Sequence, residues 1–521
     1  MKNNETKGFA VNRRQLLVGT GALSLSSLLF PRNASAATGG ILRVRSYSDL
    51  QVLDPAFMMS QSDQDIMQAI FTKLVARPAG DEWTWAPGDV ESIEQLDEKT
   101  IAFKLRDQLG FTDGFGQVTA DDVKFSFERI ADPATGSAYA GDWAVLKEVE
   151  VKDTLSGVIH LTGPFAPLWT TTLPGSSGLI VSRKALAEVG GKITTKPVGQ
   201  SGPYIMKEWQ PKQRTVLVKN PDWKYEQGAY DEIHILPIED EKTAEMGYEA
   251  GDLDYTWTAV SSIKRLKENP PADTTVIEKP SLAFVWLGMK NTTAPLDNQN
   301  VRRAIQHAID TAAVVDAAYY GAASTATGII APGLSGHRDA NLFAYDPDKA
   351  RELLAAEGAE GITVTLDILN KTERLTAAQV IQANLADVGI NCEIRQHDSG
   401  TFWNLGGAEA DPNFPLQLYL SRFSMYPDPS WATAWFTTEQ IGQWNWEHFS
   451  SEEFDELNKA GQLELDEAKR DEMYKRMQDI MEESGQYVFL THEVVGVEYR
   501  NSVAPAIMPN AMPLFDKFKP A

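Results

Sequence analysis

Apolar residues alternate with polar ones in short runs along the chain: Ile101, Phe103 and Leu105; Val216 and Val218; Ile233 and Ile235; and Ile362, Val364, Leu366 and Ile368. A period of two predicts half-buried strands. Between these runs the spacing changes to that of helices. Asp346-Pro347 opens a segment through Leu353 and Leu354 that stops at Gly358, and Val301, Ile305, Ala308 and Ile309 share one helical face. A further helix from Asp466 to Glu483 places Met473, Met477, Ile480 and Met481 on one side. Strands and helices interleave throughout, which predicts an α/β architecture.

The N-terminal segment follows neither pattern. Lys2, Lys7, Arg13 and Arg14 precede a mildly apolar run from Leu16 to Phe30, and Ala34-Ser35-Ala36 offers a small-residue cleavage site. Arg13-Arg14 followed by Gln15-Leu16-Leu17 resembles the twin-arginine export signal, so residues 1–36 are expected to direct export and then be removed. The apolar run is shorter than the roughly 20 residues a bilayer requires, and membrane insertion is not expected. Cys392 is the only cysteine, which leaves none at the cleavage site to carry a lipid and none to close a disulfide. A freely diffusing exported protein suits a compartment closed by a second membrane, and the periplasm is the expected location.

The full chain carries a net charge of −24, and loss of residues 1–36 removes five basic and one acidic residue, leaving 43 against 71. A field of that sign repels nucleic acid and anionic lipid, so neither is expected as a partner. The chain beyond position 36 far exceeds the roughly 100–200 residues of a single domain, and no Pro/Gly/Ser-rich linker divides it. Two or three cores joined by short ordered crossovers are expected, an arrangement that moves by hinging.

Several ordered blocks span this region. Leu53-Asp54-Pro55 is followed by Pro87-Gly88-Asp89, the run Thr100 to Arg106, Phe111-Thr112-Asp113-Gly114, Val118 to Val123 and Phe125 to Ile130. Physically these read as a strand, a glycine-bearing turn and a helix with Thr119 as N-cap and acids in its first turn. Gly202-Pro203-Tyr204, Glu208-Trp209, Asn220-Pro221, Gly251 to Tyr255, Asn300 to Ile305 with Ala308-Ile309-Asp310, and Tyr426-Pro427-Asp428-Pro429 continue the series. Together they resemble family 5 of the extracellular solute-binding proteins of ABC importers, the class that serves dipeptides, oligopeptides, nickel and opines. The resemblance implies a two-lobed periplasmic binding protein fold of type II, of the large class with an extra subdomain in lobe 1. Residues 37–280 would form lobe 1, with the inserted subdomain at about 73–193, residues 281–490 lobe 2, and residues 491–521 the return to lobe 1. It also implies a small-molecule ligand enclosed between the lobes, a membrane permease as partner, a monomer and no cofactor.

Peptide-binding members of the family place an aspartate three residues before the Asp of the Asp-Pro turn, where it pairs with the ligand's ammonium. Met425 stands there instead, and a thioether cannot neutralise an ammonium. Three residues further back is Arg422, whose guanidinium suits a carboxylate or phosphate, so this pair of departures points to an anionic ligand. Trp403, Tyr426 and Trp431 flank the turn or a binding segment of the family, and Tyr47, Trp257 and Trp286 follow a strand, a turn and the crossover; all are candidate contacts. Ser201 and Gly202 offer a hydroxyl and backbone donors at a turn.

An enzyme, such as a periplasmic hydrolase, is the reading from another class. His492-Glu493-Val494-Val495-Gly496 lacks the second histidine of a zinc-binding helix, and Gly175-Ser176-Ser177-Gly178 and Gly199-Gln200-Ser201-Gly202 lack the spacing of a nucleophile elbow. His448 is expected to be packed among aromatic residues, and Cys392 to be a buried, inert thiol. No catalytic or metal-binding residue is assigned. The expectation is a receptor for a small polar ligand with an anionic group, opine-like or a sugar-phosphate conjugate, with a peptide or modified peptide as the alternative.

Overall fold

The computed structural model describes residues 40–407 and 414–521; the export segment read from residues 1–36 lies outside them. Ten strands form one sheet: β1 (Ile41–Ser46), β2 (Tyr204–Gln210), β3 (Arg214–Lys219), β4 (Glu232–Pro237), β5 (Tyr255–Thr258), β6 (Thr274–Met289), β7 (Thr363–Leu369), β8 (Asn391–His397), β9 (Leu418–Ser424) and β10 (Tyr487–Arg500). Their order across it is β2-β3-β4-β1-β5-β10-β6-β9-β7-β8. The two long central strands, β6 and β10, run through both halves. Residues Thr274–Pro280 pair with Arg500–Val494 beside β5, and Phe284–Gly288 pair with His492–Tyr487 beside β9.

The apolar positions sort into separate cores on either side of this central pair. In the first lobe, β1, β4 and β5 bury Leu42, Val44, Ile233, Ile235 and Tyr255 against Ile66, Met67 and Ile70, and Phe515 and Phe518 from the chain end join them. A smaller four-stranded antiparallel sheet carries a second core, in which Ile101, Phe103 and Leu105 meet Val123, Phe127 and Ile130 of the helix Ala120–Ala131. That helix begins with Thr119 and Asp122 capping each other's amides, as its sequence predicts. In the second lobe, one core packs Val301, Ile305 and Leu354 on Val364, Leu366 and Ile368. The other is rich in aromatic rings, with Trp286, Tyr419, Phe436, Trp446 and Tyr487 together. The fold is the two-lobed α/β type expected. Among the described residues no helix is long and apolar enough to cross a membrane.

The helix Glu467–Glu483 departs from its apolar reading in an instructive way. Met477, Ile480 and Met481 are buried, but so are Tyr474, Gln478 and Glu482. Gln478 holds the amide of Ile330 and the carbonyl of Gly336, and Glu482 accepts from Arg338 and the amides of Leu342 and Phe343. These polar groups face an irregular segment whose peptide groups have no ladder to join, so polarity on the buried face is required there.

A buried carboxylate stands inside the aromatic core. Trp286 Nε1 donates to Glu447 Oε1 at 2.7 Å, and burial pushes the Glu447 carboxyl up to about 7. Because that lies above the ordinary 4.5, the folded chain keeps a proton that the unfolded chain loses between about pH 4.5 and 7, and stability falls as pH rises through this window. Glu447→Gln keeps the acceptor for Trp286 without a charge. It is expected to stabilise the chain by about 3 kcal/mol near pH 8 and by little near pH 4 in urea unfolding, and an equal gain at both would rule out the charge as the cause.

Candidate functional site

The ladder between β6 and β10 breaks between Pro280 and Phe284, where Ser281, Leu282 and Ala283 stand opposite Glu493 alone. Pro280 has no amide to donate, which favours an interruption there. Ser281–Ala283 and Glu493–Val495 form the floor of a cavity of about 990 Å³ between the lobes. Its walls come from the carboxyl ends of the strands. Arg45 and Tyr47 lie at the end of β1, Trp257 and Thr258 at the end of β5, and Arg422, Ser424 and Met425 at the end of β9. Crevices at the carboxyl ends of strands are where α/β sheets place ligands, and the volume is that of a small-molecule site.

Six of the ten residues singled out from the sequence line this cavity: Tyr47, Trp257, Arg422, Met425, Tyr426 and Trp431. Tyr426 and Trp431 pack edge to face, ring centres 4.6 Å apart, and the Tyr47 hydroxyl accepts from the amide of Gln61. The other four do not line it, for reasons of local geometry. Alternation along β6 turns Trp286 into the aromatic core. Trp403 stacks on Phe423 and packs against Phe402 and Trp446. The Ser201 hydroxyl accepts from the amide of Thr72, and a Cβ at Gly202 would lie 2.4 Å from the carbonyl oxygen of Ala69, so both residues close a backbone contact inside the first lobe. Cys392 is buried, its thiol pushed up to about 12 by burial.

Arg422 is not an isolated cation. Its Nε donates to Glu493 Oε2 at 2.7 Å and its Nη1 to Ser424 Oγ at 3.0 Å, while Arg374 reaches Glu493 Oε1 at 2.7 Å from the other side and also bonds the Tyr319 hydroxyl. Burial would raise the Glu493 carboxyl, but the two guanidinium groups outweigh it and hold it below the usual range. The two pairs differ in solvent access, with Arg374 buried and Arg422 44% exposed.

Sequence reasoning passed over a second arginine. Arg77 lines the cavity from the first lobe, donates to the carbonyls of Thr170 and Thr171, and has no carboxylate partner among the described residues. Burial lowers its pKa to about 10. Close by, Asp428 of the Asp-Pro turn accepts from Ser430, from Arg470 at 2.7 Å and, across the cleft, from the Thr170 hydroxyl at 2.7 Å. Burial opposes its ionisation, and these donors together hold the carboxyl below the usual range.

Helix capping supplies another feature of the walls. Of the thirteen α-helices among the described residues, eleven begin at a Ser, Thr, Asp or Asn whose side chain accepts from the first turn. The exceptions are α1 (Val260–Glu268), preceded by Ala259, and α2 (Thr372–Asp387), preceded by Lys371. Both open onto the cavity, through Val260 and Ser261 and through Thr372 and Glu373. First-turn amides without a cap are donors held ready for an acceptor.

The arginine and glutamate pairs can be separated by stability. Glu493→Ala is expected to lower the unfolding free energy by about 3–5 kcal/mol, because it leaves Arg374 buried and unpaired. Arg422→Ala removes an exposed partner and should cost less than about 1 kcal/mol. Chemical denaturation of the two variants checks this ordering, which fails if Arg422→Ala is the more damaging.

Comparison with known proteins agrees with this geometry. Residues 84–444 match the family described as bacterial extracellular solute-binding proteins, family 5. The chain is 26% identical over 475 residues to the probable D,D-dipeptide-binding periplasmic protein DdpA of Escherichia coli K12, covering 88% of this chain and 90% of that one. Among solved structures, HbpA2 from Haemophilus parasuis superposes with a TM-score of 0.80 at 23% identity, covering 92% of this chain and 100% of that chain. MoaA from A. tumefacien R10, in complex with mannopinic acid, superposes with a TM-score of 0.73 at 25% identity, covering 92% and 99%. With well over half its length matched and a cavity where the two lobes meet, the chain belongs to the bacterial extracellular solute-binding proteins of family 5.

Proposed function

We propose that the chain is the periplasmic solute-binding subunit of an ABC importer, exported by the twin-arginine route and working as a monomer with a membrane permease. It takes a small polar ligand with at least one anionic group, such as an opine-like acid or a sugar-phosphate conjugate. The carrying observation is that both helices lacking a side-chain cap turn their first turns to the cavity. Their amides and dipoles favour negative charge. Arg77 and Arg422 add guanidinium donors to the same cavity, while the peptide binders' aspartate is replaced by the buried thioether of Met425. The likeness to MoaA, solved with mannopinic acid, favours the same class.

A peptide or modified peptide is the second reading. The relative named for D,D-dipeptide binding favours it, as do Glu241 and Glu373, carboxylates on the cavity wall that suit an ammonium. Either ligand would bridge the lobes and favour the closed arrangement. No catalytic role is proposed.

A thermal-shift series on the purified chain separates the readings, since a ligand of the folded state raises apparent stability. Anionic compounds, such as glucose 6-phosphate and N-carboxyalkyl amino acids, are expected to raise Tm by a few degrees while glucose and neutral-ended dipeptides do not. Stabilisation by simple dipeptides with none from the acids would replace the anionic reading with the peptide one.

A further inference from the structure

Several arginines of the interior are faced by carboxylates. Arg129 bonds Asp54 through two nitrogens, Arg338 bonds Asp479 and Glu482, Arg374 bonds Glu493 and Arg470 bonds Asp428. Such pairing offsets the cost of holding a charge in a low-dielectric setting. Arg302 and, on the cavity wall, Arg45 are held by carbonyls instead, Arg45 through all three guanidinium nitrogens. Arg77 lines the same cavity and is held by carbonyls too, but keeps a nitrogen free among the described residues. Its Nε and Nη2 are occupied by neutral carbonyls of Thr170 and Thr171, and Nη1 has no acceptor among the described residues. Asp142 is the acid whose charge reaches it; it is bonded by the Ser177 hydroxyl, and among the described residues it makes no hydrogen bond or ion pair with the guanidinium.

The surroundings suit an oxyanion. Tyr426 lines the same cavity, its ring packed against Trp431. Met425 is its neighbour in the chain, so Arg77 and the position from which the peptide binders' aspartate is missing line one cavity. Arg422 is the weaker candidate for this duty because Glu493 already accepts its Nε.

Resting on the anionic-ligand reading above, we infer that Arg77 is the principal specificity residue of the cavity, holding the ligand's carboxylate or phosphate from the first lobe beside Tyr426 of the second. The placement joins recognition to closure. The Thr170 carbonyl that accepts from Arg77 belongs to the residue whose hydroxyl donates to Asp428 across the cleft, so an anion on Arg77 sits next to an inter-lobe bond.

Inorganic phosphate and acetate, titrated separately at low ionic strength against a chloride control, are suitable probes. Trp83, Trp431 and Trp435 on the cavity wall provide a fluorescence signal. A saturable response to at least one of the two anions is expected. It should weaken at least about tenfold in Arg77→Gln and less than about threefold in Arg422→Gln, in line with loss of a charge-assisted fork. A response to phosphate alone or acetate alone names the headgroup and supports the assignment either way. Arg77→Lys, which keeps the charge but not the fork, should bind with intermediate affinity, and it decides the matter should Arg77→Gln not fold. The inference is overturned by the absence of any saturable response, by wild-type affinity in the Arg77 variants, or by a loss that follows Arg422 instead. If organic acids still stabilise the protein in the thermal-shift series, only the role of Arg77 falls; if they do not, the anionic-ligand reading falls with it.

Discussion

The pairing of β6 with β10 is the constraint on which the molecule depends. Two strands of sixteen and fourteen residues carry one antiparallel ladder from the first lobe into the second, so each lobe's half of the sheet is anchored to the same ribbon. Register in such a ribbon is fixed wherever its side chains are buried, because a slip of one residue would exchange the faces. On the second-lobe side, Val285 and Leu287 enter one core while Phe284 and Trp286 enter the other. The ladder shifts register by one residue between Val285 and Trp286, but its wide interruption is at Ser281–Ala283, and there the cores also separate and the cavity begins.

Charge is managed by the same division. Inside each lobe Arg129, Arg338 and Arg470 meet carboxylates and Arg302 meets carbonyls, whereas around the cavity the balance is left incomplete. Arg374 and Arg422 share one carboxylate, Arg77 rests on carbonyls, and two helices present first turns without side-chain caps. Each of these would be a weakness in an ordinary interior. Gathered around one volume, they are what supports the proposed ligand site.

Much of the fold was legible in the chain. The alternating runs around Ile101, Ile233 and Val364 became strands with those residues buried, and the caps at Thr119, Asp346 and Asp466 start helices where the punctuation places them. The site was legible where it lies near a recognisable motif, as with Met425, Tyr426 and Trp431. It was less so where tertiary packing decides, since Trp286 and Trp403 have the same chemistry as Trp431 but face a core. Arg77 carries no local signal, for its meaning comes from the carbonyl partners and the cavity that folding brings to it. Ala259 and Lys371 did carry one: each precedes a helix at a position where this chain otherwise uses Ser, Thr, Asp or Asn.

Asp428 has a consequence for how easily the lobes can part. It accepts from the amide and hydroxyl of Ser430 and from Arg470 within its own lobe, and only the Thr170 hydroxyl reaches it from the other. Withdrawal of Thr170 therefore leaves a carboxylate that is still ion-paired and a helix that is still capped. The Ala166 amide, donating to the Gln462 carbonyl, joins the lobes in the same way. The rim can therefore detach and reattach without any element of the second lobe refolding, at the cost of exchangeable bonds of about 1–3 kcal/mol each that water can replace. A fastening of that strength is reversible on every cycle, which a carrier that must release what it holds requires.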